Sequence, residues 1–339
     1  MLSRSLWTTG FVISSRDKLK LAGKEVSIIV CTRNRGSHLR ETLEAIQSLV
    51  FPEDLTTELI VVDNGSTDST PKLLREVVSP RIPLRVVDEP EPGQCRAYNR
   101  AISAAVGKTL LFTDDDVRPP HDWIVRMTEP IRLGIADAVA GGVRMSVDLH
   151  RPWIAVDHQS WLACNDHIAA GSMPCLVGAN MAIARHVFDK VPQFDPEMGP
   201  GAIGHASDTL FSVQVQAAGF RIVSAYDVVV EHCFDAARLS RSAFEHQARK
   251  RGEFNAYIAH HWFHAHWRFA RVKAVREWCK LQWARLRHLR EWTVHPSCPE
   301  WELGLMEGYQ TFRQYVRERR RPRNYEKQGL VKRSVLETK

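Results

Sequence analysis

Three consecutive carboxylates, Asp114, Asp115 and Asp116, follow the apolar and β-branched run 109–113. Such a run is typical of a buried strand of a parallel sheet, and in open α/β sheets ligands bind beyond the carboxyl ends of these strands. Neighbouring carboxylates raise each other's pKa unless a cation neutralises them. Because Mg²⁺ is commonly bound by one or two carboxylates together with substrate phosphates, the run predicts a Mg²⁺ or Mn²⁺ site for a diphosphate ligand. The alternative is a solvated acidic turn that caps the helix expected near 121–123.

Other polar residues follow two further predicted strands. Residues 26–31 and 59–62 form buried apolar runs, and each is followed by apolar residues at helical spacing. Strands that alternate with helices at this spacing predict right-handed crossovers and a mainly parallel sheet. Thr32 and Asp63 would then lie at the same sheet edge as the acidic run, which is the usual ligand crevice. Asp63 alone would indicate only a turn, so its place beside the other strand ends favours a binding role.

Three residues in the second half of the chain are further candidates. Asn180 stands inside an apolar run, and because a buried amide requires partners it either lines a site or caps a loop. The sequence of 199–204 reads G-x-G-x-x-G, but no strand precedes it, so it indicates a Gly-rich loop beside the site. This loop leads to Asp208, which is either a helix N-cap or a site acid. His232 ends a strand-like run and could supply one more metal ligand.

Taken together and in order, these motifs resemble the family 2 glycosyltransferases, which are nucleotide-sugar enzymes of the GT-A fold. The resemblance covers residues 25–234 and rests on the segments VSIIVCTRNR, ELIVVDNGSTDST, EPGQCRAYNRAI, LLFTDDDV, VGANMAI, SDTLF, AAGFRIV and VVVEH. It implies an α/β fold of GT-A type, with a Rossmann-like, mainly parallel sheet. It also favours a UDP-linked donor.

The resemblance implies a role for each matched residue. Asp63 would bind the nucleobase, with Thr32 and Arg33 beside it, and Arg96 and Asn99 would lie near the ribose or diphosphate. The acidic run takes the part of the family's D-x-D motif. Asp114 and Asp115 would therefore face the donor, with Asp114 also near the metal. Asp116 and His232 would bind the metal, Asn180 would contact the donor, and Asp208 would be the catalytic base. Two departures stand out: Ser207 replaces the acid that usually precedes the base, and three acids leave the roles of Asp114 and Asp115 ambiguous.

Composition limits the broad class of protein. The chain has 339 residues, 44% of them apolar and 25% charged, which is typical of a globular protein with one large domain or two smaller ones. Its seven cysteines include no Cys-x-x-Cys pair, which favours reduced thiols in the cytoplasm. Neither a signal peptide nor a membrane-spanning segment is expected, because no window approaches 18 apolar residues.

We divide the chain into a leader (1–24), the glycosyltransferase domain (25–234), a basic Trp-rich helical extension (235–312) and a basic tail (313–339), expected to be frayed or bound to a partner. Between Trp262 and His295, eight Lys or Arg and two Glu are interleaved with five Trp (262, 267, 278, 283, 292). Such a segment could lie on an anionic membrane surface, which would suit a lipid-linked acceptor. Alternatively its aromatic side packs on the catalytic domain. A nucleic-acid partner is not expected.

The predicted chemistry is an inverting transfer. A metal bound to the diphosphate would make the leaving group less basic, and one carboxylate would deprotonate the attacking hydroxyl of a glycan or lipid-linked acceptor. A single base opposite the leaving group, without a second carboxylate as nucleophile, gives inversion. Two alternatives remain. One is a non-catalytic nucleotide-sugar binding module or membrane scaffold. The other is a nucleotidyltransferase, in which Arg33 and Arg35 would bind a triphosphate, although the required Gly-rich loop is missing.

Overall fold

The computed structural model describes residues 26–168, 172–203 and 206–333. Within this part of the chain, eight strands form one sheet in the order β3-β2-β1-β4-β7-β6-β8-β5. Their bounds are β1 Val26–Thr32, β2 Thr57–Asp63, β3 Leu84–Asp88, β4 Thr109–Asp114, β5 Val117–Arg118, β6 Ala138–Met145, β7 Met181–Ala184 and β8 Ile222–His232.

The half of the sheet from β3 to β4 is entirely parallel. Strand β1 lies between β2 and β4, and nearly all of its side chains are buried, which explains its continuous apolar sequence. The register places Thr32 beside Asp63 and Cys31 beside Asp114. From β1 the chain continues first to β2 and β3 on one side and later to β4 on the other. The gap between β1 and β4 is therefore the switch point at which open sheets bind ligands.

The other half of the sheet is mixed. Strand β7 runs antiparallel to both β4 and β6, whereas β6 and β8 are parallel. The two-residue β5 directly follows the acidic run and pairs antiparallel with the end of β8, so that Val117 lies opposite His232. The predicted mainly parallel α/β sheet is confirmed, with β7 and β5 as the reversed strands.

Helices cover both faces of the sheet. In chain order they are α1 Gly36–Gln47, α2 Thr70–Glu76, α3 Gln94–Ala104, α4 Trp123–Arg132, α5 Val156–Trp161, α6 Ser207–Ala217, α7 Arg241–His261, α8 Ala270–Arg287, α9 Leu289–Val294 and α10 Glu300–Glu318. Side chains of α1, α2 and α4 form one core with the sheet, and those of α3, α6 and α7 form the core on the opposite face. Helix α7 thus joins the extension directly to the core of the sheet.

The extension is a layer of packed helices. Helix α10 packs along both α7 and α8. At Gly252 of α7 the two backbones approach closely, since a Cβ there would lie 2.7 Å from the carbonyl oxygen of Glu307. A residue without a side chain is therefore required at this crossing. None of the helices formed by the described residues combines the length and apolar character needed to cross a membrane.

The segment that follows α10 folds back onto the molecule. Helix α10 runs to Glu318, past the expected boundary at 312, and Tyr325 and Lys332 are buried. Lys332 Nζ lies 2.6 Å from Asp195 Oδ1 and 2.6 Å from Glu197 Oε1. The expectation of a frayed tail is therefore wrong for 313–333, because α10 continues to Glu318 and because Arg321 and Lys332 pair with acidic residues of the fold. Binding of this segment to a partner stays a prediction. The predicted leader and the last six residues of the predicted tail lie outside the described residues.

Candidate active site

A cavity of about 780 Å³ opens at the carboxyl ends of β1 and β4. Four groups of side chains line it. They are residues at the end of β1 and just after it (Thr32, Arg33, Arg35), the acidic run (Asp114, Asp115, Asp116), the separate residues Asp208 and His232, and residues of the extension (Arg238, Gln247, Arg251, Asn255, Glu307). The cavity therefore lies at the predicted sheet edge, and the extension forms one of its walls.

Asp114, Asp116 and His232 bring one ligand atom each to within 4.8 Å of one another. Strand pairing positions them, because His232 lies opposite Val117 and the Cys233 N–H donates to the carbonyl of Asp116 at 2.7 Å. His232 Nε2 lies 3.2 Å from Asp116 Oδ1. Carboxylate oxygens and an imidazole nitrogen are a donor set that suits Mn²⁺ or Mg²⁺, so these residues fit the predicted ion.

The three carboxylates differ electrostatically. Burial and the neighbouring Asp116 raise the pKa of Asp114 to about 7. Burial, with a further contribution from Asp116, raises the pKa of Asp115 to about 6. Burial would also raise the pKa of Asp116, but His232 and Arg35 outweigh it, so that pKa is lowered. The run thus concentrates negative charge at a place where a cation would stabilise it.

Two arginines place positive charge next to the acidic run and His232. The Arg35 guanidinium contacts the Asp116 carboxylate and lies 3.6 Å from Asp115 Oδ1. Arg238 Nη1 lies 3.4 Å from His232 Nε2. Sequence reasoning considered Arg35 only as a triphosphate ligand and missed Arg238. Arg35 stands three residues beyond β1 and could have been found from that position, whereas no sequence signal marked Arg238.

Asp208 faces the same cavity from the first turn of α6. The Gly178 N–H donates to its Oδ2 at 3.1 Å and the Thr209 N–H to its Oδ1 at 2.8 Å. Burial raises the pKa of Asp208. The Tyr98 hydroxyl oxygen lies where a Cβ on Gly178 would be 2.5 Å away, and it lies 3.4 Å from Asp114 Oδ1. Asp208, Gly178, Tyr98 and Asp114 therefore line the same cavity.

The residues expected at the nucleobase end lie near the switch point. Thr32 donates to Asp115 Oδ2 at 2.7 Å, and the exposed Arg33 lines the cavity. Asp63 is buried at the end of β2 and accepts a hydrogen bond from the Ser66 N–H at 3.0 Å. Its neighbour Asn64, which sequence reasoning did not select, lines the cavity and accepts from the Gly93 N–H at 2.8 Å.

Four residues predicted to bind the donor do not line the cavity, and Asp63 is one of them. Asn180 is fully buried, where its amide nitrogen donates to the Gly142 and Val228 carbonyls and its Oδ1 accepts from Trp123. Both amide atoms of Asn99 bond the backbone of Phe194. Arg96 pairs with Glu91 on the surface, at 2.8 Å. The side-chain partners of the two asparagines are backbone groups and, for Asn180, also a tryptophan.

Several known proteins are similar in sequence to this chain. Residues 27–191 match the Glycosyl transferase family 2 sequence family. Glycosyltransferase AglE of Haloferax volcanii is 24% identical over 61% of this chain and 66% of its own length. Glucosyl-3-phosphoglycerate synthase of Mycobacterium tuberculosis is 30% identical over 35% of this chain and 36% of its own length. The chain thus spans less than two thirds of each of these relatives.

The fold is also similar to that of a protein of known structure. The mannosyltransferase PcManGT of Pyrobaculum calidifontis, determined in complex with GDP-Man and Mn²⁺, superposes with a TM-score of 0.53 at 22% identity, over 71% of this chain and 69% of that one. This likeness shows a shared fold. Together with the family match and the strand order, it shows that the chain carries a family 2 glycosyltransferase domain of the GT-A fold.

Proposed function

We propose that this protein transfers a sugar, with inversion, from a nucleoside-diphosphate sugar to a hydroxyl group of a glycan or lipid-linked acceptor. The observation that carries the proposal is that one cavity holds the Asp114, Asp116 and His232 cluster together with Asp208. A transfer of this kind needs one group to stabilise the leaving diphosphate and another to deprotonate the attacking hydroxyl.

In the proposal, the donor lies along the gap between β1 and β4. Thr32, Arg33 and Asn64 line its nucleobase end, and Asn64 takes the place of the residues that do not line the cavity, which are Asp63, Arg96, Asn99 and Asn180. Asp114, Asp116 and His232 would hold Mg²⁺ or Mn²⁺, which when bound neutralises the diphosphate and makes it a better leaving group. Arg35 and Arg238 add positive charge on the same side. UDP is the first donor to test, and GDP-linked sugars are the second.

Asp208 is the proposed base. The N–H groups of Gly178 and Thr209 fix its carboxylate, and its burial raises its pKa, which makes it a stronger base than a solvated carboxylate. Neither donor hydrogen bond comes from a charged group, so a proton can be accepted without breaking an ion pair. A hydroxyl deprotonated by this group would attack from the side opposite the metal cluster, and the configuration at the sugar would invert.

The acceptor would enter beside the extension. Arg251 and Asn255 of α7 and Glu307 of α10 line that side of the cavity, and the Arg251 guanidinium lies 4.4 Å from the centre of the Trp161 ring. An aromatic face next to charged and amide groups suits the alternating apolar and hydroxyl surfaces of a sugar. The extension is therefore proposed to select the acceptor.

A donor assay tests the function. The full chain is incubated with a panel of UDP-, GDP- and other nucleotide sugars, with Mn²⁺, with Mg²⁺ or with EDTA, and release of the nucleotide is measured. We expect release from one donor class, dependent on the metal. Asp208→Asn should lower the rate by roughly 10²–10⁴-fold while the donor still raises the thermal unfolding midpoint. Asp189→Asn, an exposed carboxylate at the end of a 3-10 helix, is the matched control and should keep full activity.

Binding without any release or transfer would contradict catalysis and favour a nucleotide-sugar binding module. Full activity in Asp208→Asn would overturn the assignment of the base. Full activity in EDTA would contradict the proposed dependence on a divalent metal ion.

A further inference from the structure

The face of α8 that points away from the molecule is apolar. Val272, Val275, Trp283 and Leu286 lie on this face, which we call the outward face, and they are 65%, 61%, 61% and 72% exposed. They recur at intervals of three, eight and three residues, so on a helix of 3.6 residues per turn they share one stripe. Phe269, 74% exposed, precedes the stripe, and Leu289, 51% exposed, follows it. In the part of the chain that the structure describes, nothing covers this stripe.

The opposite face of α8 packs against the rest of the extension. Ala270, Glu277 and Leu281 are buried, and helix α10 packs against this side. The helix therefore shows two apolar faces, of which only the inner one has a partner among the described residues. The sequence left open whether the Trp-rich side packs on the catalytic domain. The structure divides the five tryptophans, since Trp262 belongs to the core whereas Trp278 and Trp283 are exposed.

Basic side chains border the outward face. Arg271 lies on one side of the stripe and Arg276, Lys280 and Arg287 lie on the other, all exposed. Arg276 and Lys280 share the Glu277 carboxylate, and the Arg287 guanidinium stacks 5.1 Å from the centre of the Trp283 ring. Residues 268–294 hold eight Lys or Arg against two Glu. An apolar stripe between basic borders is complementary to anionic headgroups above acyl chains.

We propose that the outward face of α8 binds the surface of a membrane that contains anionic lipid, with Trp283 and Leu286 inserted below the headgroups. The proposal rests on the extension and does not depend on the transfer reaction. It has a consequence for the acceptor, because Gly308 of α10 faces Glu277 of α8 while the adjacent Glu307 lines the cavity. Helices α8 and α10, each about 10 Å across with its side chains, thus separate the outward face from the cavity wall.

Vesicle binding tests the proposal. The full chain is sedimented with vesicles of phosphatidylcholine, with and without phosphatidylglycerol. We expect binding only when phosphatidylglycerol is present, and weaker binding as salt rises. The pair Val272→Ser and Leu286→Ser should weaken partitioning roughly tenfold, because two apolar side chains no longer leave water. The pair Val78→Ser and Val147→Ser, at positions 77% and 74% exposed on the catalytic domain, is the matched control and should bind as the parent does.

Charge is tested separately. Arg271→Gln with Arg287→Gln should weaken binding to phosphatidylglycerol vesicles by roughly fivefold per residue. Arg40→Gln with Arg75→Gln, two exposed arginines on α1 and α2, should leave it unchanged.

A probe on the face gives a direct readout. Cys279 lies in the middle of the stripe and is the exposed member of the seven cysteines, so it reacts first with an environment-sensitive fluorescent maleimide. Its emission should shift to the blue on adding phosphatidylglycerol vesicles, and Cys279→Ser should abolish the shift. Absence of vesicle binding, an equal loss in the control pairs, or conversion of a dimer to a monomer by Val272→Ser with Leu286→Ser would overturn the proposal. Nucleotide release in solution tests the transfer reaction independently of all three outcomes.

Discussion

Lys332 offers the sharpest test of the fold, because it is a buried cation in a segment whose composition suggested a loose tail. Its side chain is 6% exposed and lies 2.6 Å from both Asp195 and Glu197, whose side chains are 1% and 32% exposed. Lys332→Met keeps the length of the side chain and removes its charge. Asp195 would retain the hydroxyl donors of Tyr257 and Tyr325, at 2.5 and 2.7 Å, but no cation.

The magnitude follows from what is left unpaired. Removing one partner of a buried ion pair costs about 3–5 kcal/mol, because the remaining charge stays buried without compensation. Glu197 keeps its ion pair with Arg321 at 2.5 Å, so the cost falls mainly on Asp195. The two tyrosine donors place the expected loss of unfolding free energy near the lower end, at about 3 kcal/mol.

Urea unfolding at neutral pH measures this loss as a lower midpoint with an unchanged slope. The neighbouring residue supplies the control, since Arg333 pairs with Glu326 on the surface, where the two side chains are 44% and 75% exposed. Arg333→Met should cost about 0–1 kcal/mol. Adding Asp195→Asn to Lys332→Met removes the unpaired charge and should restore at least half of the lost stability.

The reasoning is refuted if Lys332→Met and Arg333→Met have equal, small effects. It is also refuted if Asp195→Asn makes the Lys332→Met protein less stable still. The first result would mean that Lys332 contributes little to the folded state, and the second that the Asp195 carboxylate is not left uncompensated when Lys332 is replaced.

Two further predictions concern the site. Asp114→Asn should raise the unfolding midpoint of the metal-free protein near pH 8 and change it little near pH 4. The pKa of Asp114 is about 7 in the folded protein against a usual 3.8, so the folded state binds more protons between these values and loses stability as pH rises. An equal shift at both pH values in thermal unfolding would contradict this. Gly178→Ala should slow transfer, because its Cβ would lie 2.5 Å from the Tyr98 hydroxyl oxygen that borders Asp114. Gly304→Ala should leave the transfer rate unchanged, because a Cβ there meets nothing within 4 Å. Equal transfer rates for the two variants would contradict a role of Gly178 in shaping the site.

The parallel half of the sheet could be predicted because its physics is local. Strands buried on both faces carry runs of apolar residues, as 28–31 of β1, 59–62 of β2 and 110–112 of β4 do. The direction of β7 could not be predicted, because a short apolar run has the same sequence pattern in a parallel strand and in an antiparallel one. The two-residue β5 is too short to leave a pattern.

The site also has residues that could be predicted from the sequence and residues that could not. The convergence of Asp114, Asp116 and His232 followed from the ends of their strands, and the structure brings them together. Asn180 shows that a buried amide reveals its need for partners and not their identity. Arg238 and Glu307 come from the extension, and their place in the cavity depends on how those helices pack, which no motif records.

The irregular pairing of β8 has a consequence for His232. Gly141 of β6 lies opposite Ala225, but the next residue, Gly142, lies opposite Val229, so three residues of β8 have no partner there. Asn180 bonds the carbonyls of Gly142 and Val228 at this irregularity. Because side chains alternate along a strand, an odd number of extra residues exchanges the faces of everything that follows. Deletion of one of the unpaired residues 226–228 would leave Asp114, Asp116 and His232 in the sequence. It would nevertheless turn the His232 imidazole to the opposite side of the sheet, away from the two carboxylates.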